Sequence, residues 1–231
     1  GGTIDVEATA GSITMAAGAE STSGGGLTDN IRYRAGAAVH LGRLNAGAGD
    51  VSVAAGTAIT DAGAANNVTA DELRMVAGTA IGTGAAHIQT EVNEVAALAN
   101  NGGIFLTEAT GVAVDEVGVV TAQRVLGTGL SAAEQDAAVL EDLTTAGGDG
   151  SVVLQTVNGS LEVRDAGDAD ALGVSANGCG NVLLQAGGAG QDVVLRTGVQ
   201  SGSGDITVLA AGSVDQDVAA ADITTGAGGT I

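Results

Sequence analysis

The side chains best suited to chemistry in this chain are carboxylates crowded into one turn. The run RDAGDADALG places Asp165, Asp168 and Asp170 close together, and hard oxygen ligands at that spacing are candidates for a Ca²⁺ site. Asp115 and Glu116 adjoin, and paired acids are the groups with which polysaccharide-cleaving enzymes work. Such an enzyme also needs a sugar groove with aromatic platforms and basic residues. The chain has one Tyr, one Phe and no Trp, so the preferred reading is non-catalytic, with these acids as solvated turn residues. No cofactor other than Ca²⁺ is expected.

The remaining reactive residues are scattered. GGDGSVVLQ is similar to the calcium-binding nonapeptide, yet Val152 stands where its Asp ligand belongs. His40 and His87 have no partner at metal-ligand spacing and read as structural. Cys179, the only cysteine, lies between two glycines and reads as a small buried side chain, with an intermolecular bridge as the alternative. Arg32-Tyr33-Arg34 is the one basic spot, either a contact for an acidic glycan or neighbouring subunit, or an arginine ladder that balances nearby acids. The glycine-rich turns lack the Lys and following helix of a phosphate loop.

Charge narrows the partners. Asp and Glu number 27 against seven basic residues, all Arg, for a formal charge of −20. A surface this acidic repels nucleic acid and anionic headgroups, which makes both poor candidates as partners, and neither nucleic-acid binding nor membrane insertion is expected. Solubility of a long fibre explains the acidity, and Ca²⁺ uptake or adaptation to salt is the alternative. No run of about eighteen apolar residues occurs that could insert in a membrane as a helix.

These residues must be positioned by a backbone whose composition is unusual: 40 Gly, no Pro, and 45% hydrophobic residues of which almost none is aromatic. Ala, Val, Ile and Leu must fill the interior, which suits a narrow repetitive core. Pro would remove ladder donors from every tier of such a core. The repeated unit is a Gly, Asp or Asn followed by apolar residues at every second position. It appears at Ile4/Val6, Ile13/Met15, Ile31/Tyr33, Val51/Val53, Leu73/Met75, Ile104/Leu106, Val152/Leu154, Leu161/Val163, Val182/Leu184, Val193/Leu195 and Ile206/Val208. That alternation marks strands with one dry and one wet face. Openers recur at intervals of about 20 to 25 residues, with a second strand inside the interval, which is the period of a parallel β-solenoid of about ten rungs. The wet positions carry Arg32, Arg34, Arg74, Arg164 and Arg196, within reach of Asp5, Glu7 and Glu162 on neighbouring rungs.

The chain reads as a single domain over 1–231 with an irregular insertion at about 126–138. Ser131-Ala-Ala-Glu134 matches a helix capping box, so a loop or one helical turn at Ser131 to Asp136 is expected to protrude from the coil and to be the place where binding resides. Gly-Gly-Thr-Ile occurs at residues 1–4 and again at 228–231, in the same phase of the rung. With no initiating Met and no signal peptide, this suggests one module of a tandem array or a subunit that stacks end to end on copies of itself. Open strand edges at both ends of a solenoid need a cap or a neighbour.

Runs such as GDITVLAAGSV, DVSVAAGTAIT and GGTIDVEATAGSITM resemble the repeats of filamentous-haemagglutinin-like and giant repeat adhesins of bacteria. The likeness covers nearly the whole chain and lies in repeat style, with none of that family's secretion domain present. It implies a right-handed parallel β-helix in an extracellular or cell-surface stalk, fibre or matrix component, with a cell-surface glycan or host receptor as partner. The rival from another class is a carbohydrate-active β-helix enzyme.

Overall fold

The structure, a computed structural model, describes residues 1–165, 167 and 170–231. Every one of the alternating stretches forms a strand, and nearly all strand pairs are parallel and in register from one tier to the next. Among the described residues there is no helix, so none that could cross a membrane. The result is an all-β chain with long parallel sheets, the arrangement of a β-solenoid.

Parallel registry stacks like on like. On the first sheet Ile4, Ile31, Val51, Leu73 and Val95 form one inward column. On the opposite side Ile13, Val39, Ile59, Ile81, Ile104, Val152, Val182 and Ile206 form another without a break. The interior members of both columns are fully buried, and each large aliphatic side chain contributes about 1.5–3 kcal/mol of transfer free energy.

The inward column that closes each first-sheet strand is Ala8, Ala35, Ala55, Ala77 and Ala99, and a corner follows. There Gly36, Gly56 and Gly78 stack so closely that a Cβ on Gly56 would sit 2.1 Å from the Gly36 carbonyl oxygen, and one on Gly78 2.0 Å from that of Gly56. Much of the glycine in the composition answers to this backbone-on-backbone contact.

The two sides of the coil exchange roles midway. Early tiers place one long strand on the first sheet, as at Ile31–Ala35 and Val51–Ala55, and two short ones across the core, as at Val39–Leu41 and Arg43–Asn45. Later tiers place the long strand across the core, at Ile104–Glu108, Val152–Thr156, Val182–Ala186 and Ile206–Ala210. The short strands are then on the first sheet, as at Val193–Leu195 and Gly198–Ser201. The exchange falls at Glu94–Ala99, whose first residues pair with Val112–Val114 and whose last pair with Leu143–Thr145.

Between those two short strands lies the inserted segment, and it corrects the helical expectation. Ser131–Gln135 is a strand that pairs antiparallel with Thr121–Val125 through the turn around Gly129, whose φ is +81°. Val139, Leu140 and Leu143 offer an apolar stripe after the capping box, but Leu140 forms an antiparallel bridge with Val117 and Leu143 opens the strand Leu143–Thr145, while the Leu-Gly-Thr-Gly-Leu turn favours a hairpin.

Candidate functional site

The hairpin is laid back over the outer face of the first sheet. Asp5, Arg32, Ser52 and Arg74 occupy equivalent outward positions on consecutive strands, which leaves two arginines facing one another across a serine. Asp136, at the foot of the hairpin, occupies that gap. Its Oδ2 is 2.6 Å from Nη1 of Arg74, its Oδ1 accepts a 3.1 Å hydrogen bond from Ser52 Oγ, and Arg32 Nε is 3.7 Å away.

Further along, Arg124 Nε donates to Asp5 Oδ2 at 2.6 Å, its Nη2 contacts Glu7, and its Nη1 is 3.4 Å from Glu134. Hydrogen bonds to Asp5, then to Glu7, raise the pKa of Arg124. Arg74 Nη2 also donates to the Ala138 carbonyl at 3.1 Å. The side chains of Asp5, Arg32, Arg74 and Asp136 are each less than a tenth exposed. With charges alternating along the column, the arrangement is a lock that holds the hairpin.

Because Arg124 takes Glu7, Arg34 in the adjoining outward column has no ion pair, alone among the arginines of the described residues. It is exposed in a shallow groove over Ala54 and Val76. The Arg-Tyr-Arg spot is therefore divided: Arg32 is buried in the lock, Arg34 faces solvent, and Tyr33 points inward with its hydroxyl 2.7 Å from Ser21 Oγ. A second cluster, on the later tiers, joins Arg164 to Glu94, Asp115 and Glu162, and Arg196 to Glu162 and Asp217. The hydrogen bond from Arg164 is the main cause that lowers the Glu162 pKa. Asp115, one of the paired acids, is thus tied to a guanidinium.

At the corner that opens the first-sheet strands, Asn30, Asp50, Asp71 and Asn93 stack. Asp50 N donates to Asn30 Oδ1 at 2.9 Å, and Asn93 Nδ2 to Asp71 Oδ1 at 2.7 Å. Burial, then the Asp71 charge, raises the pKa of Asp50; burial, then Asp50 and Glu94, raises that of Glu72.

Of the three calcium candidates, Asp168 lies outside the described residues. Asp165 accepts the Gly167 N–H at 3.3 Å and Asp170 the Leu172 N–H at 2.7 Å, so each caps its own turn. Among the described residues no three His, Cys, Asp or Glu side chains gather as ligands of one ion. His40 and His87 hydrogen-bond through Nδ1 to Thr60 and Thr107 on adjacent strands, at 2.7 and 2.8 Å.

Cys179 corrects its expectation: it is exposed, because Gly178 and Gly180 pack against neighbouring tiers and turn the side chain between them outward. The hairpin lock was not foreseen. Its signal was Arg32 and Arg74 aligned on either side of Ser52, a like-charge arrangement that calls for an acid from elsewhere in the chain. Comparison with protein-family models, with curated proteins and with solved structures gives no match to this chain.

Proposed function

We propose that this chain is a non-catalytic structural module of an extracellular or cell-surface stalk, fibre or matrix, built as a right-handed β-solenoid of about ten rungs. The observation that carries this reading is the uninterrupted ladder: apolar columns run through the molecule and reach strands at both extremes, Ile4–Ala8 and Ile206–Ala210, each paired on one side only. Nine strands on the longest path through the first sheet support a count near ten. The buried charges of Asp5, Arg32, Arg74 and Asp136 hold the inserted hairpin in place, a mechanical role. Adhesion, in this reading, belongs to the turns and to the hairpin that the coil displays.

Electron microscopy of the concentrated protein tests the proposal. Filaments with an axial repeat near one module, roughly 45 Å at the usual strand spacing, are the expected result. Discrete monomers at all concentrations, or turnover of a polysaccharide, would overturn it.

A further inference from the structure

The two outer edges of the inserted hairpin are not alike. Val120 accepts the Asp136 N–H at 3.3 Å and Leu130 the Leu126 N–H at 2.8 Å, and these bonds fix the phase of the pairs between them. Ala122, Arg124, Ala132 and Glu134 therefore bond across the hairpin, while the residues between them turn their N–H and C=O groups outward. On the first strand the outward groups are engaged: Gln123 N donates to Thr3 Oγ1 at 2.6 Å, and the Thr121 carbonyl accepts from Asn30 Nδ2 at 3.2 Å. On the second strand Ser131, Ala133 and Gln135 turn theirs to the other side, and among the described residues no strand pairs there.

Thr3 and Asn30 lie at the opening ends of the first-sheet strands, so the free edge of Ser131–Gln135 looks toward their closing ends. There it borders the Arg34 groove, whose wall includes Gln135 and Ala137 and whose floor is Ala54 and Val76. The groove continues past Arg34 to the glycine corner at Gly36 and Gly56. Arg32 and Arg74 also line it, but Asp136 answers both, whereas Arg34 is exposed and has no ion pair. The edge carries none of the devices that keep an exposed strand from pairing: Ser131, Ala133 and Gln135 are uncharged, and the register has no bulge.

We propose that this edge takes an extended peptide segment bearing a carboxylate, which adds as a third strand of the hairpin and sets its carboxylate on Arg34. A strand added at about 4.8 Å from Ser131–Gln135 lies over the column of Arg34, Ala54 and Val76. Alternate side chains of the peptide are roughly 6.7 Å apart, against about 4.8 Å between tiers. With a carboxylate on Arg34, the next side chain on the same face therefore falls between Ala54 and Val76, where an apolar residue fits. Backbone bonds to Ser131, Ala133 and Gln135 supply affinity for any extended chain, and the guanidinium selects the acid. One carboxylate is enough, since a formal charge of −20 repels a more acidic segment. A sugar acid would use Arg34 but not the row of backbone groups. The inference rests on the structural reading above, in which the coil displays the hairpin for adhesion, and gives that hairpin a class of partner.

Titration of the full chain with the capped peptide acetyl-Ser-Val-Thr-Asp-Thr-Val-Thr-Ser-amide, followed by NMR and amide hydrogen exchange, tests the proposal. Exchange is expected to slow at Ser131, Ala133 and Gln135, while Ala132 and Glu134, already bonded across the hairpin, change little. Arg34→Gln in the chain, or Asn for the Asp of the peptide, should weaken binding by about ten- to a hundredfold. Ala133→Pro removes an outward N–H and none of the bonds within the hairpin, and should abolish the protection. No binding at millimolar peptide, or binding that Arg34→Gln leaves unchanged, overturns the proposal. So does sodium acetate that binds as tightly as the peptide with no amide protected, which marks an anion contact only. Filaments formed by a chain that binds no peptide would leave the structural module standing and remove only this partner.

Discussion

Asp136 Oδ2 lies 2.6 Å from Nη1 of Arg74, although 62 residues separate them and they belong to different layers of the molecule. The contact fastens the inserted hairpin and neutralises a guanidinium that the parallel register would otherwise set beside Arg32 with only Ser52 between. Removing one partner of a buried ion pair costs about 3–5 kcal/mol, because the other charge is stranded. Asp136→Ala should therefore lower the melting temperature and expose residues 121–138 to protease. Ser52→Asp in the same chain supplies a carboxylate at the vacated place and should restore much of the stability, but leave the hairpin open to cleavage.

How much of this was legible follows from the range over which each pattern acts. Strands such as Val182–Ala186 were readable because alternation is local, and the parallel stack because its openers recur at a near-constant interval. Short strands such as Val68–Thr69 and Gly198–Ser201 were not, since two to four residues carry no periodicity of their own and exist by pairing with neighbours. The exchange of sheets at Glu94–Ala99 was hidden because an apolar run does not declare which side of the core it faces. The Asp136 lock joins residues far apart in sequence, and only the fold brings them together.

Carboxylates pushed in opposite directions should give opposite pH responses. Burial and the charges of Asp50 and Glu94 raise the Glu72 pKa above its ordinary 4.5, so the folded chain holds this proton more tightly than the unfolded chain. Ionised Glu72 thus costs stability above its folded pKa, and the cost vanishes below the ordinary value. Glu72→Gln should raise the melting temperature at pH 7 and leave it unchanged in acid. Arg164 lowers the Glu162 pKa, so its contribution is present above the ordinary value and lost as pH falls through the folded one. Glu162→Gln should destabilise at pH 7 and not in acid. Solvent screening keeps each effect to about 1 kcal/mol or less, read as opposite shifts in thermal melts.

The glycine corner is open to a paired test. A Cβ on Gly56 meets a carbonyl at 2.1 Å, while one on Gly11 meets nothing within 4 Å. Gly56→Ala should destabilise by about 1–3 kcal/mol through overpacking, and Gly11→Ala should leave the denaturation midpoint nearly unchanged. Equal effects would show that the corner tolerates side chains.

Stacking copies that each carry a formal charge of −20 works against Coulomb repulsion. Glu20 near one extreme of the coil and Asp215 and Asp222 near the other are exposed acids that add to this repulsion, with no Lys anywhere in the chain to compensate. Repulsion between exposed charges is screened over about 10 Å at 0.1 M salt and about 3 Å at 1 M. Apolar contacts between stacked ends are not weakened by salt in that way. Raising NaCl from 0.05 to about 1 M should therefore lower the protein concentration at which filaments appear in light scattering. Lys substitutions at Asp215 and Asp222 should produce the same shift at low salt. Filaments that dissolve as salt rises would instead mean that attraction between opposite charges holds the copies together, and Arg34, the unpaired arginine beside the hairpin, would be the first residue to substitute.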